Sequence, residues 1–184
     1  MISAMEDQIT GHELLWETIR QREDYPIFRL TYVSCAVELL TEADLDDIES
    51  KSLAANDARD VTGLLIVNGR RILQILEGRE SAVLELYEKI RKDPRHVIAR
   101  LVSTVEDDGR MLLTWNMVVR DVGSIPEEVL NQYNELYDEL LHAKEPRIIT
   151  IDDVDFLKSV ALFSALPALC IQGEEEFARM RSEH

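Results

Sequence analysis

The sequence predicts an α+β fold, a five-stranded mixed sheet with two helices on one face, and three observations carry that reading. Apolar runs of strand length alternate with helical stripes in the order β-α-β-β-α-β-β. Two of those runs are joined at Asn68-Gly69, the strongest short-range hairpin signal. Both helices follow strands, so they return over one sheet face, which gives a ferredoxin-like sandwich with an added strand.

Each element has a local reason. Residues 10–22, "TGHELLWETIRQR", place Leu14, Leu15 and Ile19 at helical spacing until Tyr25-Pro26 stops the pattern, giving a short N-terminal helix outside the main fold. "IFRLTYVS" at 27–34 is β-branched and aromatic and reads as the first strand. Thr41 then supplies an N-cap, an acidic first turn follows, and Leu45, Ile48, Ser52 and Ala55 line one side of a helix. "VTGLLIVNGRRILQILEG" is the hairpin, and "SAVLELYEKIRKD" a helix whose stripe is Ala82, Val83, Leu86, Tyr87 and Ile90, ended by Pro94. "VIARLVSTVE" and "MLLTWNMVV" read as two strands around the turn "DDGR". Beyond residue 122, "IPEEVLNQYNELYDELLHAKE" and "DDVDFLKSVALFSALPAL" are amphipathic or apolar helices, which must bury their stripes on the open sheet face or on another molecule. The chain divides into an N-terminal extension (1–26), the sandwich (27–120) and a C-terminal helical extension for output and oligomerisation (121–184).

Composition narrows the function. A chain of 184 residues, 46% hydrophobic, suits one globular domain with an appendage. There is no apolar run of membrane-helix length and no signal-like N-terminus, so a cytoplasmic protein is expected. A net charge of -16 would repel phosphates, which argues against direct nucleic-acid binding. Cys35 and Cys170 form no cluster and read as reduced thiols, with no metal site. Phosphate loops, zinc-protease and serine-hydrolase motifs are absent, so no enzyme activity is expected.

Gln74 is the informative anomaly. In "RILQILEG" it shares a face with Ile72 and Leu76, where an unpartnered amide costs on the order of 1–3 kcal/mol. Either the strand is an edge and the amide meets water, or a partner awaits it. Tyr32 alone reads as a core tyrosine and Asn56 as a helix cap, while Trp115 and Met117, sharing a face of the last strand, read as packing residues.

Taken together these residues resemble the BLUF family of flavin-binding blue-light sensors. The matching pieces are "LTYVS" with Tyr32, "AANDARDVTGLLIV" with Asn56, "ILQILEG" with Gln74, "LYEKIRKDPRH" with Asp93 and His96, and "WNM" with Trp115 and Met117. The resemblance implies a non-covalent flavin, FAD or alternatively FMN, between the two helices. Tyr32 and Gln74 would face its N5 and O4 edge, Asn56 its O4 and N3, and Lys89, Asp93 and His96 its pyrimidine end. Ser52 joins that binding set. Trp115 and Met117 would wall Gln74. Light would move an electron and a proton from Tyr32 to the flavin, Gln74 would rotate or tautomerise, and the last strand would relay the change to the C-terminal helices, biasing a homo-oligomer or a downstream signalling protein. The chain departs from the family pattern at Lys89, where arginine is common, at Ala55, often asparagine, and at Ile72, often phenylalanine. A flavin-dependent redox enzyme and a flavin-less interaction module are the alternative readings.

Overall fold

The computed structural model describes residues 25–113, 115–145 and 147–165, except for the side chains of residues 98 and 99. The elements are β1 (Ile27–Ala36), α1 (Glu42–Asp57), β2 (Thr62–Asn68), β3 (Arg71–Gly78), α2 (Glu80–Ile90), β4 (His96–Asp107), β5 (Val118–Asp121) and α3 (Glu127–His142). A further helix, α4, runs over residues 151–165. The helix expected over residues 10–22 lies outside the described residues, as does Cys170.

The strand order is β4-β1-β3-β2-β5, with β2 and β5 parallel and every other pair antiparallel. This is the expected ferredoxin-like α+β sandwich with one added strand. The hairpin forms with Asn68 opposite Arg71, so its loop is Gly69-Arg70, with Gly69 at φ +58°. Glycine at the first loop position takes that angle without a Cβ clash and lets the turn follow the strand twist. Thr41 caps α1 reciprocally: its hydroxyl accepts from Asp44 N at 3.2 Å and the Asp44 carboxylate accepts from Thr41 N at 2.8 Å.

Two expectations need correction. The strands around "DDGR" do not pair with each other; β4 and β5 occupy opposite edges of the sheet. The last strand is also shorter, starting at Val118, because a turn from Leu112 O to Trp115 N (3.0 Å) precedes it.

β1, β2 and β3 are buried on both faces. One face packs on α1 and α2 through Phe28, Leu30, Leu65, Val67, Ile72 and Leu76. The other carries Val33, Leu64, Ile66, Leu73 and Ile75 and lies under Tyr133, Tyr137 and Leu140 of α3 and Val154, Leu157 and Val160 of α4. Both C-terminal stripes therefore bury on the sheet. Polar contacts fasten α3 there: Tyr137 hydroxyl donates to Ser34 O at 2.7 Å, and Arg71 donates to Asn134 Oδ1 at 2.9 Å and to the Asp138 carboxylate.

Candidate functional site

Tyr32 of β1 and Gln74 of β3 are paired in register, so strand alternation puts both side chains on the α1/α2 face. There the Tyr32 hydroxyl donates to Gln74 Oε1, and Gln74 Nε2 points at Met117 Sδ, 3.8 Å away. Both residues are at least 95% buried. Burial pushes the Tyr32 phenol well above its ordinary pKa, with smaller contributions from Tyr87 and Asp93, so the phenol is neutral and holds its proton. The rings of Tyr87 and His96 lie 5.3 and 6.4 Å from it, centroid to centroid. Gln74 is thus on an interior strand, and the edge-strand explanation for its amide does not hold.

These groups floor a cavity of about 110 Å³ between α1 and α2, walled by Ile48, Ser52, Ile90, Asp93, His96 and Met117. Ser34 and Arg95 also line it, and the sequence reading missed both. Ser34 was legible as sharing the Tyr32 face two residues on. Arg95 was hidden by its exposure: it chelates Asp93, 2.5 Å at the shortest, and reaches Asp47 of α1 at 3.7 Å across the helix gap. That bonding to Arg95 holds the Asp93 carboxyl below the usual carboxylate range.

The other expected residues divide. Asn56 does not cap α1; its Nδ2 donates to Asn116 O at 2.9 Å, while its buried Oδ1 has no partner. His96 Nε2–H donates to Ile90 O at 2.7 Å and leaves a buried Nδ1 unpartnered. Ser34 Oγ is likewise buried and unpartnered. Lys89 is exposed and paired with Glu85 at 2.5 Å, away from the lining. Trp115 and Met117 do not share a face. Met117 packs with Leu65 and Ile72 beside Gln74, whereas Trp115 packs against the α3/α4 cluster. The Leu112–Trp115 turn and the ties from Asn116 to Asn56 and to Asp57 reset the alternation between them.

The donor set suits a flat heteroaromatic ring with a polar edge. The unpartnered His96 nitrogen and Ser34 hydroxyl belong to residues that line the cavity, whereas Asn56, with its unpartnered amide oxygen, is not among the lining residues; buried polar atoms require partners. Of the 16 residues of α1 only Asn56 is buried, so the helix leaves its inner side to something else.

Residues 27–118 match the family described as sensors of blue-light using FAD. The chain belongs to the BLUF family. Among curated relatives, the photoactivated adenylate cyclase subunit alpha-like protein FB of Euglena gracilis is 34% identical over 126 residues, 66% of this chain and 12% of that protein. The chain thus spans about an eighth of the length of that relative. Of solved structures, the dark state of the BLUF protein BlrB aligns with TM-score 0.57 and 27% identity over 74% of this chain and 96% of the other. The photo-activated state of BlsA gives 0.56 and 25% over 73% and 94%. BLUF proteins are blue-light flavin sensors, and this chain carries that fold. Among the described residues no helix is long and apolar enough to cross a membrane, and no cluster of residues could hold a metal ion.

Proposed function

We propose that this chain senses blue light with FAD held in the α1/α2 cavity, and that Tyr32 and Gln74 are the switching pair. The observation that carries the reading is the buried bond from the Tyr32 hydroxyl to Gln74 Oε1 on the cavity floor. Ser52 and Asn56 of α1, with Ser34, Asp93 and His96, would hold the ring, Asn56 with the Oδ1 that lacks a partner. Lys89 would have to leave Glu85 to join them. A bound flavin supplies the blue-light absorption and the acceptor for an electron.

Tyr32 has the proton-coupled chemistry this needs. Its phenol is neutral, loss of an electron makes it strongly acidic, and its O–H already points at Gln74 Oε1. Gln74 can answer by rotating or tautomerising, because an amide offers an acceptor at one end and a donor at the other, and exchanging them rewires the site without moving net charge. The sulfur opposite Nε2 is a weak acceptor, so the exchange breaks no strong hydrogen bond there, while the packed Met117 side chain bounds the space in which the amide turns. Met117 meets Gln74 on one face and Trp115 packs on the other against the core cluster that includes α3 and α4, which supports a relay through this short stretch towards the C-terminal helices. The chain would act as a cytoplasmic sensor without turnover of its own, passing the signal to a homo-oligomer contact or a downstream signalling protein.

The test is an absorption spectrum of the flavin-loaded protein before and after blue illumination. A reversible red shift is expected, absent in Gln74→Leu and in Tyr32→Phe; either variant photocycling normally would overturn the assignment. Heat-released flavin separated by chromatography distinguishes FAD from FMN. Steady consumption of NAD(P)H would favour a redox enzyme instead.

A further inference from the structure

Glu77, next to last in β3, lies three residues after Gln74 on the opposite sheet face and is fully buried. Its carboxylate gathers three other segments. It accepts from Arg29 Nε of β1 at 2.6 Å, from Met111 N at 3.1 Å to each oxygen, from Leu112 N at 2.9 Å, and from Thr62 Oγ1 of β2 at 3.4 Å. The far end of the Arg29 guanidinium continues to Asp107 at 3.1 Å and Gly109 O at 3.5 Å, where β4 ends. Arg110 adds a bond to Glu77 O at 3.0 Å and an ion pair with Asp60 at 3.0 Å.

This clamp sits at the start of the segment between β4 and β5. Beyond it the chain turns, returns through Trp115 O to Gly63 N at 2.7 Å, and resumes the ladder at Val118 opposite Leu64. Met117 therefore hangs between a charged clamp at residues 111–112 and the β2–β5 ladder. Oε2 accepts from both backbone N–H groups while Oε1 accepts from Arg29 Nε, so donors face both oxygens; a carboxamide would turn N–H towards one of those sides and lose its bonds there. The photochemistry proposed above does not require a carboxylate at this position.

We propose that Glu77, clasped by Arg29, is a positioning residue of the light switch: it fixes the start of the 111–117 segment, holds Met117 Sδ against Gln74, and so sets how long the switched amide persists. The proposal rests on the blue-light reading of the site. With the clamp loosened, Met117 packs less firmly on Gln74 and the amide returns to its dark arrangement sooner.

The experiment compares native full-length protein with Glu77→Gln by two readouts. In the dark, backbone hydrogen exchange at residues 111–117 is expected to rise by about tenfold or more, the factor carried by one lost charge-assisted hydrogen bond, with α2 unchanged. After illumination, the red shift should keep its size while dark recovery speeds up by a similar factor. A merely structural role would lower the melting temperature and raise exchange throughout. Arg29→Lys, which keeps the cation but loses the fork, replaces Glu77→Gln if that variant does not fold, with the same direction expected. A folded variant with native exchange at 111–117, or with native recovery, overturns the proposal. If native protein shows no red shift the blue-light reading fails and the relaxation role with it, while the exchange measurement still decides whether the clamp orders Met117.

Discussion

Gln74 and Met117 lie together because a residue with no side chain makes room for the sulfur. A Cβ on Gly63 would stand 3.3 Å from Met117 Sδ, from Leu76 Cδ2 and from Ile75 O, tighter than ordinary contact on three sides. Two of those neighbours are flexible side-chain ends and can give, so Gly63→Ala is expected to fold with a loss of about 1–3 kcal/mol, typical of overpacking, and to push Met117 off Gln74. Gly78 is stricter: its Cβ would come within 2.8 Å of the Asp60 carbonyl oxygen, a backbone atom beside Val61 that cannot step aside alone. Gly78→Ala should therefore cost more than Gly63→Ala. Chemical denaturation of both variants checks the order, and a Gly78→Ala protein as stable as native would show that the Asp60 turn moves freely.

At the scale of elements, α3 belongs to the sandwich through specific polar bonds as well as apolar packing. Tyr137 and Tyr133 are both buried, yet their hydroxyls are held differently, at 2.7 Å to Ser34 O and at 3.5 Å to Ile66 O. Tyr137→Phe leaves a buried carbonyl short of a bond and is expected to destabilise the protein by about 1 kcal/mol, with Tyr133→Phe costing clearly less. Equal midpoints for the two variants would mean that the Ser34 bond has no net worth. The sequence announced the helices and central strands well, because apolar periodicity and the hairpin signal are local properties. That Tyr32, Gln74 and Met117 meet at one site was implied by the family resemblance rather than by periodicity. The sequence reading misjudged Trp115, since a turn and a pair of asparagine side-chain bonds reset the face between residues 115 and 117, and nothing in "TWNM" marks that break. It could not see that β5 leaves β4 for the far edge of the sheet, because strand pairing is decided by the whole topology. Ser34, Arg95 and the Glu77 clamp escaped notice because each gains its role from residues distant in sequence.

At the scale of the whole molecule, the core is closed on both faces and is rich in buried phenols, which makes its alkaline limit calculable. Burial pushes Tyr137 up to about 12 and Tyr32 and Tyr133 further. A tyrosine in the unfolded chain ionises near pH 10, so above that pH the unfolded state sheds protons that the folded state keeps. The stability these groups confer is complete below about pH 10 and falls as the pH rises towards and past 12, by up to about 1.4 kcal/mol per pH unit for each tyrosine. Midpoints measured between pH 9 and 11.5 should show that decline, shallower in Tyr137→Phe.

The same closed core bears on the residues after 125. If α3 and α4 served output alone, a chain ending at residue 125 would retain a folded sensor. Instead they cover Val33, Leu64, Ile66, Leu73 and Ile75, an apolar sheet face that water would otherwise meet. Exposed apolar patches of that kind drive association. A chain truncated after residue 125 is therefore expected to aggregate or to associate through this face, as size-exclusion chromatography would reveal. A signal reaching α3 must then act by shifting a packed helix within its seat, because detaching it would uncover the core. A truncated chain that stayed monomeric and kept its melting temperature would instead make the helices a dispensable cover, free to leave the sheet when the switch is thrown.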